Sequence, residues 1–470
     1  MRAGLRMLAA GAALLVLIAL CGFAPTPEQA PGVDFIVTSA PVYKPLAELR
    51  GEERFPAGAH LLLVHNRQAE PLVPDFAASA DADVSYDGKS VLFAGKKIAS
   101  DPWQIWELNL QNRSVRRVVT TATDAERPLY LPGGRLVWAE RTPSGFELDS
   151  SSDGRPRKNP PRNPTAGPGF LPLSHLHASA FPDAVLQDGR ILFESGFPLG
   201  QGATPELYLV YADGSGVESY RCDHGRARWG GTQLRSGDTI FTHGASLARF
   251  TSSLAHEVPV AASRGQYAGA IAEIAPDAWL VSVRVAPEAH YAIRLWRPGA
   301  PAMKLEFAKQ GMDLVEPVPV TPRERPHRHP SGLHPWNYAN LLAFDSRLSR
   351  EGDLKVAPAA VRLEAQDANG KAVVMGTAPV AQDGSFFVAV PGDMPIRFTL
   401  LNRDGAVVRR ERGWFWARGG EQRICVGCHT GPERAAENRV PEVLLHSTTP
   451  VDLTAPLKTV KSRGAGQEGN

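Results

Sequence analysis

Asp83-Val-Ser-Tyr-Asp87-Gly88-Lys89-Ser-Val-Leu-Phe-Ala94 decides the architecture of this chain. A short strand runs into a tight Asp-Gly turn, and a second, apolar strand leaves it. That is hairpin chemistry, because glycine accepts the positive φ such a turn requires. The phrase returns as Pro128-Leu-Tyr-Leu-Pro-Gly-Gly134-Arg135-Leu-Val-Trp-Ala139 and as Pro182-Asp-Ala-Val-Leu-Gln-Asp188-Gly189-Arg190-Ile-Leu-Phe-Glu194. A fourth copy is Thr232-Gln-Leu-Arg-Ser236-Gly237-Asp238-Thr-Ile-Phe-Thr242, and a degenerate fifth surrounds Pro276-Asp277. The turns recur at intervals of 46, 55, 48 and 40 residues. That is the length of a four-stranded propeller blade.

Third strands follow where a blade needs them, at Trp103-Gln-Ile-Trp106, Leu207-Tyr-Leu-Val-Tyr211 and Tyr291-Ala-Ile-Arg-Leu-Trp296. The ring would close by joining residues 315–344 to the early strand Asp34-Phe-Ile-Val-Thr-Ser39. The fold class expected is mainly β: a propeller over residues 32–350 with six blades, seven being the alternative count. Residues 150–169, rich in Pro, Arg, Asn and Ser, read as a disordered or surface insertion in the blade built on Gly134. After residue 350 the texture changes. Residues 360–366, 380–390 and 396–402 alternate apolar and polar around Gly and Asp turns, which predicts a small antiparallel β-module over 355–470.

That module carries Cys425-Val-Gly-Cys428-His429. The C-x-x-C-H spacing is that of c-type haem attachment. Two thiols would reach the vinyl groups of one porphyrin, and the next imidazole would lie under the iron as proximal ligand. A bare CxxC also suits half a zinc site or a redox dithiol, but no second CxxC exists to complete a zinc site. One covalent haem c on Cys425, Cys428 and His429 is therefore expected. A short helical segment follows the motif. Trp414-Phe-Trp416, just before it, suits either a porphyrin wall or ordinary core, and core is the commoner use of such a cluster.

The N-terminus agrees. Arg2 and Arg6 precede an uninterrupted apolar run, Leu8 to Leu20, with small residues near Ala19–Ala24, so residues 1–24 read as a secretory signal. The run is too short to span a bilayer comfortably. Cys21 offers a lipoprotein alternative, against which Leu20 stands, and an uncleaved anchor is a second one. An exported, periplasmic protein follows, touching a membrane only if N-terminally anchored. Four cysteines make no disulfide framework, since Cys222 alone remains after the signal and the motif. Net charge is only +2, with both signs scattered, so nothing points to a nucleic-acid surface and no nucleic-acid partner is expected. His327-Arg-His329 with His334 could bind a metal but sits among prolines and arginines typical of a solvated loop.

The turn Asp213-Gly214-Ser215-Gly216 resembles the end-of-blade phrase of TolB-type propellers. The order propeller, β-module, CxxCH and Glu437-Asn438-Arg439-Val440-Pro441, with Gly376-Thr-Ala-Pro-Val and Asp383-Gly384-Ser-Phe between, resembles the hydrazine synthase alpha-subunit family. The resemblance implies a propeller cytochrome. It also implies two haems in the full subunit, one in an inserted middle domain thought to assemble hydrazine. With one CxxCH and no evident room for that insertion, this chain is expected not to form hydrazine. The family's C-terminal haem resembles a bis-histidine centre whose distal imidazole comes from the N-terminal portion. His177, in Leu173-Ser-His175-Leu-His177, is the nearest match, with His65, His334, His446, Met375 and Met394 as alternatives. The function expected is electron transfer with a redox protein or small-molecule donor or acceptor. The alternative is a haem enzyme acting on a small nitrogen or oxygen species.

Overall fold

The computed structural model describes residues 32–151, 170–196, 204–221, 223–252, 256–260, 264–349, 352–427 and 437–456. The signal segment, Cys222, Cys428, His429 and most of the 150–169 insertion lie outside the described residues. Six sheets form the propeller. Blade 2 shows the pattern: Ala78–Val84, Ser90–Lys96, Gln104–Asn109 and Val115–Val119 pair antiparallel in chain order. Its first hairpin turns on Gly88, whose φ is 72°. The corresponding turns of blades 3 to 6 use Gly133-Gly134, Gly189, Gly237 and Asp277, all with positive φ. The hairpins read from sequence are thus the first hairpins of successive blades.

Blade 1 closes the ring. Its innermost strand, Asp313–Pro319, comes from the far end of the propeller and pairs with Phe35–Ala40, which continues outward to His60–His65 and Gln68–Pro71. The expected closure holds, but one part of it does not. Tyr338–Ala343, read as part of the sixth blade, pairs instead with Phe386–Pro391 and Gln422–Cys425 in the C-terminal module. Its alternating apolar residues suit either sheet, and only its long-range partners decide. Blade 6 is instead complete with Gln266–Tyr267, Ala272–Ala275, Ala278–Arg284, Ala292–Trp296 and Lys304–Phe307.

The module is a two-sheet sandwich. One sheet is ordered Gln422–Cys425, Tyr338–Ala343, Phe386–Pro391 and Val451–Asp452; the other runs Ala372–Pro379, Ala360–Gln366, Ile396–Leu401 and Val407–Arg410. Leu341, Val361, Leu363, Val388 and Ile396 meet between them in a buried core. Trp414 and Trp416 point elsewhere. They pack with Leu131, Leu173, Phe193 and Tyr208 of blades 3 and 4, and Trp416 Nε1 donates to Gly214 O at 3.2 Å. The aromatic cluster is a wedge that joins module to propeller. Burying two tryptophans there contributes on the order of several kcal/mol. The only helix of the module's described residues is Glu442–His446. No helix among the described residues is long and apolar enough to cross a membrane.

Candidate functional site

Cys425 ends the edge strand Gln422–Cys425, opposite Ala343. Its thiol is half-buried and makes no disulfide. Burial pushes the thiol pKa up, with Arg423 opposing. The strand is fastened past its end, since Phe344 N donates to Cys425 O at 2.9 Å and Asp345 N to Val426 O at 3.2 Å.

Arg439 brings the later chain back to the same corner. It donates to Phe344 O at 3.2 Å and pairs with the Asp383 carboxylate. Asp383 Oδ2 also accepts the Glu442 amide at 2.8 Å, and Ser385 Oγ accepts the Val443 amide at 3.1 Å. Two amides at the start of the short helix, which would otherwise lack partners, are satisfied this way. Burial would raise the Asp383 carboxyl, but hydrogen bonds from Ser385, Glu442 and Arg439 hold it at about 2. The two phrases Asp383-Gly-Ser and Glu437-to-Pro441 therefore meet beside Cys425. Gly384 is required at this contact: its φ is 83°, and a Cβ there would sit 2.2 Å from Asp345 Oδ1. The sequence marked both phrases but carried no signal that they touch.

The corner leaves apolar surface open. Ile424, Val440 and Leu445 are 65%, 62% and 70% exposed. Exposed apolar side chains around a corner that also carries a free thiol are the surroundings that a large, flat apolar group bound at that thiol would need.

The first-choice distal ligand, His177, and three of its alternatives lie elsewhere. His177, His334, Met375 and Met394 line a cleft of about 2000 Å³ between blades 3 and 4 and the sandwich. This cleft meets the start of Tyr338–Ala343, whereas Cys425 sits at its other end. At about 3.3 Å per residue the two ends are roughly 16 Å apart. His175, beside His177, is lowered to about 4 by burial, and Arg418 Nη1 lies 3.0 Å from its Nε2, so it is a neutral acceptor. His65 is exposed and pairs with Asp34 at 2.6 Å, and His446 is exposed at the end of the short helix. Among the described residues no three His, Cys, Asp or Glu are grouped to hold a metal ion, and His327 and His329 lie on an exposed strap.

Sequence reading missed a third feature, a buried charge cluster on the propeller axis. Every first blade strand carries a β-bulge. At three of them the left-handed residue is charged: Asp81, Arg127 and Glu316, with φ of 58°, 50° and 58°. A bulge re-aims the side chain. These groups meet Glu48 and Arg54, which arrive on the connection 41–59 between the first two N-terminal strands. Arg54 pairs with Asp81 and Glu316 and lies 3.2 Å from Glu48. Arg127 pairs with Glu48 at 2.8 Å and Glu194 at 2.6 Å, with Asp183 at 3.8 Å.

A closed six-bladed β-propeller with a β-sandwich wedged onto its fourth blade is the class of protein this fold defines. Residues 348–430 match the family described as hydrazine synthase alpha subunit middle domain. Hydrazine synthase subunit alpha of Kuenenia stuttgartiensis is 28% identical over 112 residues, a stretch covering 22% of this chain and only 14% of that subunit. The solved Kuenenia stuttgartiensis hydrazine synthase superposes with a TM-score of 0.74 at 16% identity, over 88% of this chain and 72% of that one. TolB from Acinetobacter baumannii matches more loosely, with a TM-score of 0.43 at 13% identity over 64% of this chain and 69% of that one. The chain is similar to hydrazine synthase alpha in sequence over 348–430 and in fold across most of its length. One expectation is corrected. The chain was read as having no room for the family's middle domain, yet the segment that matches is that domain, and it contains the CxxCH motif.

Proposed function

We propose that the protein is an exported c-type haem protein that exchanges electrons through one haem, joined to Cys425 and Cys428, with His429 as proximal ligand. The observation that carries this reading is the free Cys425 thiol on a pinned strand end beside exposed apolar side chains, within the segment that matches the middle domain. Bound there, the haem would supply a one-electron couple tuned by its axial ligands and surroundings. The chain's part is to fix the attachment strand through Phe344 and Asp345 and to leave the corner open to a redox protein or small donor. Export is proposed from Arg2, Arg6 and the apolar run Leu8 to Leu20.

A second reading is favoured by one observation. Because the match is to the family's middle domain, catalysis at the iron on a small nitrogen species stands closer than the sequence alone suggested. Visible spectra of the ferric and ferrous protein, with and without carbon monoxide, separate the two. A low-spin iron slow to bind carbon monoxide supports electron transfer, whereas rapid binding supports the enzyme. Protein exported from a haem-competent host that carries no covalent pigment overturns both.

A further inference from the structure

We infer that residues 41–59 form a proton-locked plug in the propeller channel, held closed while buried carboxyls keep their protons and loosened as those protons leave. The connection is inside the propeller rather than draped over it. Tyr43, Ala47, Glu48, Arg54 and Phe55 are all buried. Tyr43 and Phe55 pack with Ala80, Tyr291 and Val315 of blades 1, 2 and 6, and Leu49 packs against Phe146 and Phe181 of blades 3 and 4. Such a loop joins two neighbouring strands of one blade and has no topological need to enter the axis.

Charge counting shows what holds it there. Glu48, Asp81, Glu126, Asp183, Glu194 and Glu316 surround only two guanidiniums, Arg54 and Arg127. Two buried arginines cannot balance six carboxylates, and an uncompensated buried charge is expensive. Glu126 is buried on the residue before Arg127, with the Glu48 carboxyl as its charged neighbour. Burial and then the neighbouring Glu48 charge raise Glu126, while Arg54 opposes. Asp183, facing Glu194 and Arg127, and Glu316, facing Arg54, Asp81 and Tyr43, are raised as well, burial first in each case.

Opening the plug returns Glu48 and Arg54 to water and lets Glu126 ionise at its ordinary pKa. The closed form therefore binds more protons than the open one. For each proton held, closing weakens by up to about tenfold per pH unit above the ordinary carboxyl range. Lost protons also leave Glu48 and Glu126 as neighbouring like charges, which favours expelling the loop. The inference concerns the propeller alone and stands whether or not the haem reading holds.

The test is hydrogen exchange of the 41–59 amides in the full chain at pH 6 and pH 8, expressed as protection factors so that intrinsic exchange cancels. Protection in this segment should fall at least about tenfold at the higher pH, while the Ser90–Lys96 strand is spared. Glu126→Gln keeps a hydrogen-bonding group without a titrating proton, and should flatten the pH dependence while leaving the fold intact. Equal protection of 41–59 at both pH values in the wild type overturns the plug's proton lock. So does a pH dependence that survives undiminished in Glu126→Gln.

Discussion

The propeller axis and the Cys425 corner treat their chemistry in opposite ways. On the axis, eight charged side chains from the 41–59 connection and four blades are drawn inward and paired with one another. At the corner, a thiol stands half-open and three apolar side chains face solvent. A closed polar network adds specificity and rigidity but offers nothing to a partner. Exposed apolar surface next to a reactive group is the reverse, since such patches mark places where something docks. On the proposed reading the axis is the chain's frame and the corner its working end.

The largest effect belongs to the corner. Cys425→Ala with Cys428→Ala should abolish covalent pigment completely, while circular dichroism and the melting temperature of the apo-protein stay near wild type. The sandwich core of Leu341, Leu363 and Val388 does not include Cys425. Acid-acetone extraction followed by spectroscopy of the pellet reads the result. Pigment still bound in the double variant would separate the working end from the CxxCH motif.

The seam between the two regions comes next. Trp416 is fully buried and bonded to the Asp213–Gly216 turn of blade 4. Trp416→Ala should cost about 3–5 kcal/mol in denaturant unfolding, as other large core deletions do. Residues 336–470 expressed alone, which keep Tyr338–Ala343 in its sheet, should be unstable, because Trp414 and Trp416 would be left in water. A well-folded fragment would show that frame and working end are independent.

The hairpin turns, the third strands and the β-module were legible because each rests on neighbours in sequence. Asp87-Gly88 or Asp188-Gly189 needs only the strands on either side. The errors share the opposite property. Tyr338–Ala343 looks like any propeller strand, and its true partners lie about 45 and 80 residues downstream. The axial cluster was invisible for the same reason, since Arg54 meets Glu316 across 262 residues. Trp414 and Trp416 could be read as wall or core, and only the position of blade 4 decides. At the corner, the motif itself was plain, but the Arg439–Asp383 contact that supports it was not.

A moderate effect should appear with pH inside blade 3. Asp149 faces the same side of its strand as Glu147, one Oδ1 has no hydrogen-bond partner, and burial, then Glu140, raises its pKa to about 7. The native state keeps this proton after the unfolded chain has lost it. Stability should therefore fall as pH rises from about 4 to about 7 and then level off, by at most roughly 4 kcal/mol from this group. Asp149→Asn should flatten that part of the profile in thermal melts across pH. A slope unchanged by the substitution would assign the dependence to other buried carboxyls, such as Glu147, Glu206 or those of the axis.

The smallest effect is expected at His177, and it tests the division between the two ends of Tyr338–Ala343 most directly. His177 is exposed, enters blade 4 just after Leu176, and lines the cleft rather than the Cys425 corner. A strand end roughly 16 Å from the attachment cysteine is a poor place from which to reach an iron whose porphyrin is joined at that cysteine. His177→Ala should leave the ferric and ferrous spectra and the rate of carbon monoxide binding unchanged, with stability within about 0.5 kcal/mol of wild type. A change to a high-spin ferric spectrum would mean that the propeller does supply the distal imidazole, as the family resemblance suggests. The cleft and the corner would then be two sides of one site, and the frame would take part in the chemistry it otherwise only supports.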